Sequence, residues 1–204
     1  DEAGVPSYAF YGQGCADRLL PLNALDTVPA AARALHFGSY AMVVEPVAAT
    51  QRALVERETT RAVIAYDPNI RPTVEPSLAI WRDTLAWMLP RTHLLKISEE
   101  DVGLLFPGAA LAVLATAWLA QGPRLVVITR GGQGALGFTT STQVQAAPMQ
   151  VEVIDTVGAG DAFTAALALG VLRGLRLEAI HRWASEVAAF VCTRAGATPC
   201  LPAN

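Results

Sequence analysis

Apolar residues occur along this chain in two patterns. Some form short, nearly unbroken runs: Leu35-His36-Phe37-Gly38, Ala62-Val63-Ile64-Ala65-Tyr66, Thr92 to Ile97, and Leu125-Val126-Val127-Ile128-Thr129. Runs of this length, closed by glycine, Asp-Pro-Asn or serine, read as strands buried on both faces. Between them the apolar positions return at helical spacing. Pro46 to Glu58 reads as a helix with proline in its first turn. Leu78, Trp81, Leu85 and Met88 form one stripe of a second helix. Ser98 suits an N-cap, and Glu99, Glu100 and Asp101 suit the positive end of the helix it would open. Ala109 to Ala120 reads as a buried, alanine-rich helix. Two short strands follow, near Ala135–Phe138 and Gln143–Ala147. A loop from Asp155 to Gly160 then leads into two helices, the last striped by Leu177, Ile180, Ala184, Val187 and Val191.

Strands that alternate with helices predict an α/β fold: a doubly wound, mostly parallel sheet with helices on both faces. Ligands in such folds sit beyond the carboxyl ends of the strands. The aromatic run Ser7-Tyr8-Ala9-Phe10-Tyr11 reads as one more strand, broken by Gly12 and Gly14. It would need a partner, either a segment N-terminal to it or another chain.

Composition narrows the functional classes. With 204 residues, 52% of them hydrophobic and 16% charged, the chain can bury a sizeable core as one domain. A net charge of -3 leaves no basic excess to hold a nucleic-acid backbone. No run is long and apolar enough for a membrane span, and no signal-peptide pattern opens the chain. Cys15, Cys192 and Cys200 match no metal motif and read as reduced thiols, which fits a cytoplasmic setting. His36, His93 and His181 lack ligand spacing and read as packing or surface residues. The tryptophans read as core.

Chemistry concentrates in Asp155-Thr156-Val157-Gly158-Ala159-Gly160-Asp161-Ala162-Phe163. Gly158 and Gly160 precede a helix whose first N–H groups lack internal partners, and together they make a ready anion cradle. Asp161 adds a carboxylate beside that cradle. Held ionised by the helix dipole, it would take a proton from a hydroxyl attacking a bound phosphate. An N-cap carboxylate over a tight turn would explain the Gly-Ala-Gly-Asp tetrad alone.

The whole string resembles the signature of the PfkB carbohydrate kinase family, of ribokinase-like fold, which reads Asp-Thr-any-Gly-Ala-Gly-Asp-any-Phe. The resemblance implies that Asp161 is the general base and that Gly158, Ala159 and Gly160 form an anion hole. It places Asp155 where many members bind a monovalent cation such as potassium. Asp67-Pro68-Asn69-Ile70-Arg71-Pro72 is similar to the family's Asp-Pro-Asn-x-Arg segment, with Arg71 directed at phosphate. Lys96-Ile97-Ser98-Glu99-Glu100-Asp101 stands where the family has an Asn-x-x-Glu motif that positions magnesium. The departure at Ser98 leaves Glu100 or Asp101 to serve through water. Thr129-Arg130-Gly131-Gly132-Gln133-Gly134 is similar to the Thr-x-Gly-x-x-Gly turn that approaches nucleotide phosphates. Thr129, Gly131 and Gly134, with Gly196 of the closing Gly-Ala element, are therefore expected at the nucleotide.

By this resemblance the chain is the C-terminal, ATP-binding portion of a kinase domain, with residues 1–20 as a lid remnant and the family's N-terminal sugar-binding segment lacking. An exposed sheet edge is expected, to be covered by a homodimer or another partner. Leu35-His36-Phe37-Gly38-Ser39, the Lys-x-Ser variant and Gly14-Cys15-Ala16-Asp17 resemble fructokinase-like members. The expected reaction is ATP- and magnesium-dependent phosphorylation of a small-molecule sugar on a primary hydroxyl, fructose to fructose 6-phosphate. Ribokinase, 2-keto-3-deoxygluconate kinase, a nucleotide-binding remnant without catalysis and a purely structural α/β module stay open as alternatives. A Rossmann dehydrogenase is disfavoured, because no Gly-x-Gly-x-x-Gly follows an early strand.

Overall fold

The computed structural model describes residues 10–12 and 14–201. Six strands form one sheet in the order β1-β2-β3-β4-β5-β6. These are β1 (Ala34–Gly38), β2 (Val63–Asp67), β3 (Leu94–Ser98), β4 (Leu125–Thr129), β5 (Ala135–Phe138) and β6 (Gln143–Ala146). The first four are parallel, and β5 and β6 return antiparallel. The apolar runs thus became the parallel strands; β2, β3 and β4 are buried along most of their length, whereas β1, at the edge, buries only Phe37 and exposes His36. The strand expected at Ser7–Tyr11 lies mostly outside the described residues, and Phe10 and Tyr11 carry no regular structure. The proposed lid remnant likewise falls partly on residues 1–9 and 13, which are not described. As expected, β1 forms an edge of the sheet.

Helices α1 (Val47–Glu58), α2 (Leu78–Met88), α3 (Glu99–Leu105) and α4 (Leu111–Leu119) cover one face. Helices α5 (Ala159–Leu172) and α6 (Leu177–Cys192) cover the other. Side chains alternate between faces along a strand. Ile64 and Tyr66 of β2 and Leu95 and Ile97 of β3 therefore pack under α1–α4 with Trp81, Leu85 and Met88. Ala65, Leu94 and Val127 pack instead under α5 and α6 with Phe163, Leu167, Ile180 and Ala184. The same alternation sends Asp67, at the end of β2, and Lys96, near the end of β3, to the α5 face.

Some boundaries differ from the sequence expectation by one to three residues. Pro46 stands at the N-cap of α1 rather than inside its first turn, and the Ala109–Ala120 segment is helical only over Leu111–Leu119. Ser98 does cap α3: its hydroxyl accepts from the Asp101 N–H at 3.0 Å. His181 proves to be a core residue with no solvent exposure, its Nδ1 and Nε2 both without a hydrogen-bond partner among the described residues.

Candidate active site

The carboxyl ends of β2 and β3 and the N-terminus of α5 meet at a polar cavity of about 340 Å³. Asp67, Asn69, Arg71, Lys96, Gly158 and Asp161 are among its walls. Gly158 caps α5 with φ +81°, and a Cβ there would fall 2.2 Å from the Ala197 carbonyl oxygen. Only glycine satisfies both constraints. The Ala159 N–H turns to the Thr156 carbonyl at 3.2 Å, and the Ala162 N–H to that of Gly158 at 2.9 Å. In the first turn of this fourteen-residue helix the N–H groups of Gly160 and Asp161 are left with no backbone acceptor among the described residues, and unpaired donors at a helix start can hold an anion. Asp161 is exposed at this opening.

Two strained residues sit at the same cavity. Ser39 has φ +53° and Asn69 φ +41°, and the Ser39 hydroxyl donates to the Asn69 carbonyl at 2.9 Å. Positive φ outside glycine is uncommon and gathers at functional sites. Arg71 lies beside them, one guanidinium N–H donating to the Ile70 carbonyl at 3.0 Å.

A second cavity, of about 330 Å³, adjoins the first and shares Thr156 and Gly160 with it. Its lining is mostly apolar: Pro148, Met149, Val151, Phe163, Ala188 and Cys192 among others. Thr129, Gly131 and Gly134 enter from the turn after β4, which closes through Arg130 N–H to the Gly134 carbonyl at 2.8 Å. A largely apolar slot with a few backbone and hydroxyl groups is the usual form of a small-molecule site. Sequence reasoning missed its α6 wall, because small residues on a helix carry no chemical label.

The pfkB family carbohydrate kinase pattern matches residues 17–204. The chain belongs to the pfkB family of carbohydrate kinases. It is 36% identical over 175 residues to a fructokinase of Rhizobium leguminosarum bv. trifolii, covering 86% of this chain and 52% of that protein. It is 29% identical over 210 residues to fructokinase-2 of Zea mays, covering 98% of this chain and 62% of that protein. A fructokinase from Vibrio cholerae O395, solved with fructose, ADP and calcium ion bound, matches with TM-score 0.78 at 27% identity, over 90% of this chain and 62% of that one. The chain thus spans 52% and 62% of the two curated relatives' length. The ribokinase-like sheet expected from sequence is the one these kinases share.

The remaining family positions are distributed as follows. Asp155 lines neither cavity. Its Oδ1 accepts from Val157 N–H at 3.0 Å and its Oδ2 from Gly196 N–H at 2.9 Å, and these donors hold its carboxyl below the usual carboxylate range. Asp155 and Gly196 therefore act together, pinning the signature loop to the segment that carries Ala197. Asp101 is buried beneath the site, where Oδ1 accepts from Ile70 N–H at 3.1 Å. Burial pushes its carboxyl above the ordinary range. Glu100 is exposed in the first turn of α3. Among the described residues no three His, Cys, Asp or Glu side chains gather to hold a metal. Glu100 and Asp101 are carboxylates of the same helix turn, and one or two carboxylates with waters and phosphate oxygens are what magnesium ordinarily takes. Among the described residues no helix is long and apolar enough to cross a membrane.

Proposed function

We propose that this chain carries the ATP-binding and phosphoryl-transfer part of a sugar kinase whose acceptor is fructose. One observation carries the reading: the N-terminus of α5, with Gly160 and Asp161, lies where an apolar slot and a polar cavity join. The adenosine portion of ATP suits the slot, with the glycine turn after β4 beside its phosphates. The γ-phosphoryl group then reaches the cradle, and the acceptor hydroxyl reaches it from the polar side. The hydroxyl oxygen attacks γ-phosphorus in line and its proton passes to the Asp161 carboxylate. The bond from γ-phosphorus to the bridging oxygen breaks, and ADP leaves. Gly160 and Asp161 N–H groups take up charge developing on the transferred group. Magnesium, when bound, would neutralise charge across the phosphates, with Glu100 or Asp101 contacting its waters. A monovalent cation would use the remaining lone pairs of Asp155.

Fructose is favoured over ribose or 2-keto-3-deoxygluconate by the identity to fructokinases and by the Leu35–Ser39 and Lys-x-Ser segments. The slot and the glycine turn serve a second reading equally, nucleotide binding without turnover. Coupled-assay turnover on a sugar panel with magnesium and potassium, together with calorimetric ATP binding, decides between them. Turnover with fructose supports the first reading. Binding without turnover on any sugar supports the second, and no nucleotide binding sinks both.

A further inference from the structure

Two opposite charges lie buried at the floor of the polar cavity. Lys96 Nζ donates to Asp67 Oδ2 at 2.8 Å, with the side chains 8% and 4% exposed. They are neighbours because β2 and β3 run in register through Ala65–Leu94 and Tyr66–Leu95, which puts Asp67 beside Lys96 on one face. Burying such a pair brings little net stability, since desolvation offsets the attraction and apolar residues of similar volume would serve as well. A lysine inside the run Leu94-Leu95-Lys96-Ile97 therefore calls for a reason beyond packing.

The surroundings supply one. A lysine ammonium has three donors, and Asp67 Oδ2 is the one hydrogen-bond acceptor that Nζ meets among the described residues. A Cβ placed on Gly160 would stand 3.6 Å from Nζ, so the ammonium looks across the bare backbone of the first turn of α5. That is the turn whose N–H groups form the cradle, and Lys96 and Gly160 both line the cavity. The other oxygen of Asp67, Oδ1, is buried with no hydrogen-bond partner among the described residues. The carboxylate thus grips the lysine from one side only and leaves its remaining donors directed at the opening.

We infer that Lys96 is a catalytic residue that contacts the phosphoryl group in transfer, and that Asp67 is the positioning residue that aims it. The inference rests on the kinase reading and deepens it. A fixed ammonium complements two backbone N–H groups because it adds full charge where negative charge accumulates on the equatorial oxygens.

The test compares affinities for ADP and for the β,γ-imido analogue of ATP by calorimetry. Lys96→Met alone would strand the Asp67 charge, so the informative variant is Lys96→Met combined with Asp67→Asn, with melting temperature recorded alongside. The expected result is an ADP affinity within about twofold of the parent and an analogue affinity lower by roughly tenfold or more, the range of a hydrogen bond to a charged group. Asp67→Asn alone keeps an acceptor for Nζ and should shift the analogue-to-ADP ratio in the same direction by less. If both nucleotides weaken equally, or neither does, while the parent still binds both, the role of Lys96 is overturned and the kinase reading stands. If the parent binds neither nucleotide, the kinase reading fails and takes this inference with it.

Discussion

Under α1–α4 the strands present Ile64, Leu95, Ile97, Val126 and Ile128, each with no solvent exposure, to a continuous apolar cluster. Under α5 and α6 the same strands begin alike, with Ala65, Leu94, Leu125 and Val127, and then change character. Asp67 and Lys96 follow toward the carboxyl ends, and Thr129 closes β4 at the apolar slot. One sheet thus has a face that is apolar throughout and a face that gives up apolar contact at one end, where the polar cavity lies. Residues of the two faces alternate in sequence, so neighbours one position apart should respond to substitution in opposite ways.

The largest expected effect is on the chemical face. Asp161→Asn keeps shape but removes the proposed base, so turnover should fall by roughly 10²–10⁴-fold. ATP affinity and melting temperature should stay near those of the parent. Steady-state kinetics beside calorimetry checks this, and near-normal turnover would remove Asp161 from the mechanism. The mirror experiment is Leu95→Ala on the other face, next in sequence to Lys96. Truncating a fully buried leucine costs about 2–5 kcal/mol of folding stability. Denaturant unfolding should show that loss, with nucleotide selectivity unchanged in whatever fraction stays folded. If Leu95→Ala instead altered the ATP-to-ADP affinity ratio, the division of labour between faces would be wrong.

A smaller effect comes from the far end of the chemical face. His181 packs edge-on to Phe163, with ring centroids 6.4 Å apart, and a Cβ on Gly137 would lie 2.1 Å from its Nε2. Burial alone pulls its pKa down to about 4. An unfolded chain protonates histidine near its ordinary value of about 6.5. Between these values the unfolded state binds the extra proton, so stability falls as pH drops from about 6.5 toward 4. The full loss is about 3 kcal/mol. His181→Leu should flatten that part of the stability profile relative to the parent, measured by urea unfolding at several pH values. Parallel profiles would mean that the ring meets a proton-accepting partner in solution. The contrast with Lys96 is one of partners: on the same face, Lys96 meets Asp67 at 2.8 Å, whereas the ring of His181 meets no hydrogen-bonding group among the described residues.

Much of this was legible in the sequence, because each legible part is a local pattern. Runs such as Leu125–Thr129 are apolar without a break only when a sheet is covered on both faces. The Asp155–Phe163 string is legible as a whole, since its nine residues match a family signature where the glycine turn alone would also read as a capped helix start. What stayed hidden depends on register and distance. Nothing local says that Asp67 and Lys96, separated by a whole helix, stand side by side. Nor does anything local say that Asp155 spends its oxygens on Val157 and Gly196. Asp101 is a further case: its place in the motif suggested magnesium, and only the fold shows that it is buried and that one of its oxygens accepts from Ile70 N–H. A lone charge inside the apolar β3 run was the one signal that pointed to Lys96.

The smallest effect tests where the two faces join. Ser98 ends β3 and caps α3, a helix of the apolar face, while its neighbour two residues back belongs to the site. Ser98→Ala leaves the Asp101 N–H without its acceptor, and loss of such a cap costs about 1 kcal/mol. Asp101 would keep its bond from Ile70 N–H, 3.1 Å away, so the segment carrying Asn69 and Arg71 should hold its place. Melting temperature should therefore fall by a few degrees while the sugar KM and the ATP-to-ADP affinity ratio stay constant. A change in either of those with stability intact would mean that the start of α3 belongs to the site itself, through Glu100 or Asp101, and that the boundary between the two faces lies one turn further into the helix.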